Sequence, residues 1–165
     1  MQSKRIRFIA TGAAIAALYV VLTLLANAFG LANYAIQIRF SEALSVLPYF
    51  SPAAVWGLFA GCILSNILTG CLPLDVVFGS LATLIGAVFA YKLRRFQWLV
   101  PLPNIVSNTI IVPLVLAYVY RFEGSLPYFM LTVGIGEILS GGVLGLLLLR
   151  LLEPHRDVLF RTENE

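Results

Sequence analysis

Charged residues interrupt this chain rarely. Residues 8–38 contain none, and neither do residues 43–74. Apolar runs of about 18 residues or more read as membrane-crossing helices, and both runs exceed that length. Prolines, glycines and charges divide the sequence into candidate spans at 8–30, 41–50, 52–70, 75–92, 98–120 and 127–150, with Pro48 and Pro52 separating the second from the third.

Charge decides whether 41–70 crosses once or twice. Lys and Arg accumulate on the cytoplasmic side of membrane proteins. A single crossing would put "KLRR" at 92–95 on the opposite side from the basic amino terminus. Two crossings, turning at "PYFSP", gather Lys4, Arg5, Arg7, Lys92, Arg94, Arg95, Arg150, Arg156 and Arg161 on one side and leave Arg39 and Arg121 on the other. The prediction is an all-α membrane protein, a compact bundle of six transmembrane helices forming a single domain over 1–165, with both termini cytoplasmic. The second span is anomalous, because 41–50 falls short of the roughly 20 residues that an α-helix needs to cross. It has to be short or irregular, with its backbone buried against protein instead of lipid. Broken spans of this kind mark solute sites in transporters.

Composition sharpens the class. Hydrophobic residues are 60% of the chain and charged residues 12%, against about 25% charged in soluble domains. The net charge of +3 does not imply nucleic acid, since the basic residues form short clusters at span ends and no continuous basic face. Cys62 and Cys71, about 13 Å apart if helical, read as small apolar residues, not a disulfide. The early basic residues and "ANA" at 26–28 imitate a signal peptide. The apolar run is longer than an h-region of about 7–15 residues, so a retained first span is expected.

Glu137 is the most informative polar residue. It falls near mid-membrane in "TVGIGEILSGGVLG", where a carboxylate costs roughly 2.5–3.5 kcal/mol. Flanking glycines thin the helix, so either a neighbouring helix or a ligand can approach. Asn104 and Asn108 share one face of the fifth span, with Asn108 nearer the level of Glu137. Asp75 and Asn66 lie at outer span ends, where Asp75 reads equally as a helix cap. Arg39 and Glu42 either pair with each other or rim an outward cavity. Tyr34 and Tyr128, with Phe40, Phe78 and Phe129, fit an interfacial aromatic belt, from which one or two could stack on a ligand. Ala10, Ala13, Ala14 and Ala17 lie on one side of the first span, and Gly57 and Gly61 repeat the small-residue device in the third. Such surfaces permit close contact within the bundle or with a partner protein.

Several chemistries are absent. No GxxxxGK[ST] motif is present to cradle ATP. The single histidine, His155, is in the tail, which removes His-based metal sites and Ser-His catalysis from the membrane. No paired acidic motif suggests two-metal chemistry. No catalytic residue, metal or cofactor is expected, and the chain does not read as an enzyme.

The blocks "IQIRFSEALSVLPYF", "GLFAGCILSNIL", "LDVVFGSLATL" and "VGIGEILSGGVLG" occur in this order, and they resemble the QueT family of queuosine-precursor transporters over roughly residues 8–150. Such proteins are similar to the substrate-binding S components of energy-coupling-factor (ECF) transporters in prokaryotic cell membranes. The resemblance implies a subunit without ATPase activity, whose alanine-rich first helix (Ala10, Ala13, Ala14, Ala17) docks on a membrane T subunit while two cytoplasmic ATPases drive uptake. It also implies a 7-deazaguanine ligand: the aminomethyl base, the nitrile base or queuine. Glu137 would then meet the N–H donors of the base, and Asn108 or Arg39 its carbonyl. Glu42 or Asp75 would neutralise a cationic aminomethyl arm, while Asn66, Asn104, Tyr34 and Tyr128 complete the expected binding set. The alternative is a small structural or interaction protein whose intramembrane polar residues only hold helices together.

Overall fold

The computed structural model describes residues 2–31 and 38–160. Tyr34 and Arg161 lie outside the described residues. Helix α1 spans Gln2–Ala28, α2 Ala53–Leu68, α3 Pro73–Lys92, α4 Leu102–Tyr118 and α5 Leu126–Glu137. α5 continues through a π-helical stretch, Ile138–Leu144, into α6, Gly145–Leu152, and α7 is the short turn Arg156–Leu159. Four of these stretches are long and apolar enough to cross a membrane: Lys4–Ala28, Pro73–Lys92, Gln97–Tyr118 and Leu126–Leu159. Ala53–Leu68 is apolar but shorter. The chain is an all-helical, multi-pass membrane protein.

The anomalous second span is a 3₁₀ helix, Phe40–Tyr49, with Pro48 in its last turn. A 3₁₀ helix rises about 2.0 Å per residue against 1.5 Å in an α-helix. Ten residues thus reach roughly 20 Å in place of 15 Å, which removes most of the length deficit. Tight winding gives poorer hydrogen bonds, so such a segment needs protein around it. Ser41, Glu42, Leu44, Ser45, Val46, Leu47 and Pro48 are all buried. The segment runs through the middle of the bundle, against α1, α2, α3, α6 and the π-helical stretch.

Glycine lets the surrounding helices close in. A Cβ on Gly57 would lie 2.6 Å from the Gly12 carbonyl oxygen, and one on Gly61 would lie 2.7 Å from Tyr19 Cβ, so α1 and α2 touch backbone to backbone. At Gly86, a Cβ would fall 2.6 Å from the Cα of Asn104, which fixes α3 against α4. Leu44, Val46, Leu47, Phe50, Leu58, Val100 and Leu149 form the main apolar core, with Phe160 packed on its rim.

Contacts define two ends of the bundle. At one, Tyr49 accepts a hydrogen bond from Gln97 and donates to Glu153, while Phe50 stacks on Phe160. The start of α1 belongs to this end, because Gly12 lies against Ala53 at the start of α2. Lys92, Arg94, Arg95, Arg150 and Arg156 cluster there, with Arg150 over the Trp98 ring. The opposite end carries the α2–α3 and α4–α5 connections. On α1, Ala10, Ala13, Ala14 and Ala17 are exposed, whereas Ile15, Ala16, Tyr19 and Thr23 face inward.

Candidate functional site

A cavity of about 520 Å³ opens at the end away from the basic cluster. Its volume falls within the roughly 300–1,000 Å³ typical of small-molecule sites. One wall is apolar, built by Val112 and Leu116 of α4 and Phe129 and Val133 of α5. The facing wall is polar and comes from α2 and α3, with Asn66, Thr69 and Asp75. Arg39, immediately before the 3₁₀ helix, lines the space, as do Thr23 of α1 and Tyr128 of α5.

Asp75 is not a helix cap. Leu72 occupies the cap position, and Asp75 lies in the first turn of α3. Its Oδ2 accepts a 2.8 Å hydrogen bond from the Tyr120 hydroxyl, which in turn accepts the Leu72 backbone N–H at 3.2 Å. Burial pushes the Tyr120 phenol above its ordinary range and the bond to Asp75 adds to this, against the Leu72 N–H, so the hydroxyl stays a donor at neutral pH. One tyrosine thus ties the α4–α5 connection to the α2–α3 connection at the cavity mouth.

One helical turn beneath the walls lies a second polar layer. Thr23, Val112 and Val133 line the cavity, and Tyr19, Asn108 and Glu137 follow four residues deeper on the same three helices, roughly 5–6 Å down. Glu42 is the centre of this layer. Its Oε1 accepts from Tyr19 at 2.6 Å, and its Oε2 accepts from the side-chain amides of Asn104 at 2.8 Å and Asn108 at 3.4 Å. A carboxylate in a dry interior is tolerable when its lone pairs are filled by donors, and here α1 and α4 fill them. Asn108 also stands beside Glu137. Glu137 is buried like Glu42 but differs from it in one respect: its Oε2 has no hydrogen-bond partner among the described residues.

Glu42 therefore does not rim the cavity, and it makes no ion pair with Arg39 among the described residues. The 3₁₀ helix carries it inward from the mouth to the helix-bonding layer, together with Asn104. Arg39, Asp75, Asn66 and Tyr128 are on the cavity wall, and Glu137 and Asn108 are beneath its floor. Cys62 is buried, while Cys71 is half-buried and lines the cavity; both are free thiols. Tyr19 and Tyr120 were not singled out by sequence reasoning. The available signal for Tyr19 was its position at the middle of the first span, too deep for an interfacial belt, where a hydroxyl needs a partner. Among the described residues no group of His, Cys, Asp and Glu has the arrangement of a metal site.

Residues 9–154 match the family model described as "QueT transporter". A curated protein, "Queuosine precursor transporter QueT" of Lactococcus lactis subsp. cremoris, is 34% identical over 85 residues, covering 52% of this chain and 50% of that protein. The match thus spans about half the length of that relative. No solved structure matches the chain.

Proposed function

This chain belongs to the QueT transporter family, and from that premise we propose that it is the ligand-capturing S component of an ECF-type importer, taking a queuosine precursor from outside the cell. The observation that carries the reading is the unpartnered Oε2 of Glu137, one turn beneath a cavity with one apolar and one polar wall. A flat 7-deazaguanine suits that asymmetry. Its face packs on Val112, Leu116, Phe129 and Val133, and its donor edge descends to Glu137 with Asn108 alongside. Arg39 and Asn66 serve the carbonyl and ring acceptors from the wall, and Tyr128 stacks at the mouth.

In this reading the basic end is cytoplasmic, by the positive-inside rule, so the cavity opens outward and the molecule is a single domain. Beneath the polar layer the bundle is filled by Leu44, Val46, Leu47 and Leu149. With its ligand site closed from below, the chain needs partners to complete transport. The exposed alanines Ala10, Ala13, Ala14 and Ala17 offer a T subunit a close-packing face, and two cytoplasmic ATPases supply the energy. No catalysis is assigned to this chain. The helix-gluing alternative fits Glu42, whose oxygens are fully engaged, but not Glu137.

Calorimetric titration of the purified chain with 7-deazaguanines tests the reading, with guanine and riboflavin as controls. Replacing Glu137 with Gln should weaken binding by about tenfold or more, because an amide N–H₂ takes the place of a carboxyl oxygen that accepts from the base. Unchanged affinity overturns the assignment of Glu137. Co-purification with an ATPase pair separates an ECF subunit from a self-sufficient carrier.

A further inference from the structure

We infer that the cavity selects a base whose 7-position arm carries a protonated amine, and that Asp75 is the residue that holds it. This rests on the nucleobase reading above. Charge balance gives the first argument. Among the described residues lining the cavity, Arg39 is the cation, and the carboxylates are the buried Asp75 and the exposed Glu123. Its field also reaches Glu42 in the layer below. The two buried acids, Asp75 and Glu42, outnumber the guanidinium, and uncompensated charge is costly away from water. A cationic ligand restores the balance, whereas a neutral one leaves it unchanged.

Accessibility gives the second. Of the two acids that the sequence offered to a cationic arm, Glu42 is off the cavity wall and has both oxygens engaged by Tyr19, Asn104 and Asn108. Asp75 is on the wall and 9% exposed. Tyr120 occupies its Oδ2, and no described residue donates to Oδ1.

Position gives the third. Counted from the cavity end, Asp75 lies in the first turn of α3 and Glu137 ends α5, so their levels differ by roughly 13 Å of helix. In a 7-deazaguanine the donor edge and the 7-position arm project from opposite ends of the bicycle. An edge directed down to Glu137 therefore sends the arm up toward Asp75.

The test is titration of the purified full chain with two bases that differ at this arm, aminomethyl and nitrile. The wild type should bind the aminomethyl base about tenfold tighter or more, as expected for a charge-assisted contact. Asp75→Asn should abolish the preference by weakening the amine alone, and Tyr120→Phe, which leaves the carboxylate in place, should retain it. Equal binding of the two bases by the wild type overturns this inference and leaves the nucleobase reading standing, as does an Asp75→Asn variant that loses both equally. Binding of neither base overturns the parent reading and this inference together. Should Asp75→Asn fail to fold, carbodiimide labelling of the wild type located by mass spectrometry decides the residue: the aminomethyl base should protect Asp75 and the nitrile base should not, and equal labelling overturns the assignment.

Discussion

Glu42 receives donors from α1 and α4 at once, and its replacement tests what the buried layer contributes. Tyr19→Phe removes a single hydrogen bond to a charged acceptor, for a loss of about 1.5–3 kcal/mol. Glu42→Gln points an amide N–H₂ at donors that need an acceptor, leaving buried groups unsatisfied, and should cost about 3–5 kcal/mol. Thermal unfolding in detergent should rank Glu42→Gln below Tyr19→Phe, and the reverse order would show that Glu42 is not the centre of the layer. At this scale the sequence was partly legible. Glu137 and Asn108 stand out because a polar group deep in an apolar run is costly and has to be explained. The separation of Glu42 from Arg39 was not visible, because three residues along an unknown helix type do not fix which way either side chain faces. Tyr19 was hidden by its own chemistry, since an aromatic residue fits an apolar span until the partner of its hydroxyl is seen.

Among the elements, the 3₁₀ helix was legible only as a deficit. The hydrophobic pattern of 41–50 fits an α-helix as well as a tighter one, and only the missing length indicated that something in the backbone had to change. The irregularity of the last span was equally concealed. Its glycines signalled close approach, but the π-helical winding of Ile138–Leu144 lies against the 3₁₀ helix, a contact between distant segments that no local preference encodes. Gly141 and Gly145 lie directly against it, near Glu42, Ser45 and Val46. The small-residue contacts can be tested by size. Gly57→Ala and Gly86→Ala force backbone against backbone or against Asn104, and each should lose about 1–3 kcal/mol, as overpacking does. Gly142→Ala, whose Cβ would meet Ile105 at an ordinary 3.5 Å, should unfold within a degree or two of the parent. Equal effects at all three would show that the helices are not in the contact described.

The whole molecule is polarised from end to end, with the basic cluster and both described chain ends on one side and the cavity on the other. This polarity was read from charge alone, because the positive-inside bias counts residues and needs no geometry. The depth of the cavity needed the fold. Native thiols report on both. Cys71 lines the cavity and Cys62 is buried, so a membrane-impermeant maleimide added outside intact cells should label Cys71 and leave Cys62 untouched. Saturating ligand should slow that labelling several-fold. A cysteine placed at Gln97, at the opposite end, should react only after the cells are opened. Labelling of Gln97→Cys from outside would invert the assigned topology.

The π-helical stretch has a further consequence. Each residue of an α-helix advances the winding by about 100°, so an i→i+5 interval resets the phase between the helix before it and the helix after it. Above the reset, the helix aims Glu137 at the polar layer; below it, Leu149 faces the apolar core. These are two independent orientations carried on one continuous rod. Wound as a regular α-helix, the same residues would keep Glu137 in place and turn Leu149 by roughly 100° away from the core, whereas a chain one residue shorter there would close the α-helix and keep both orientations.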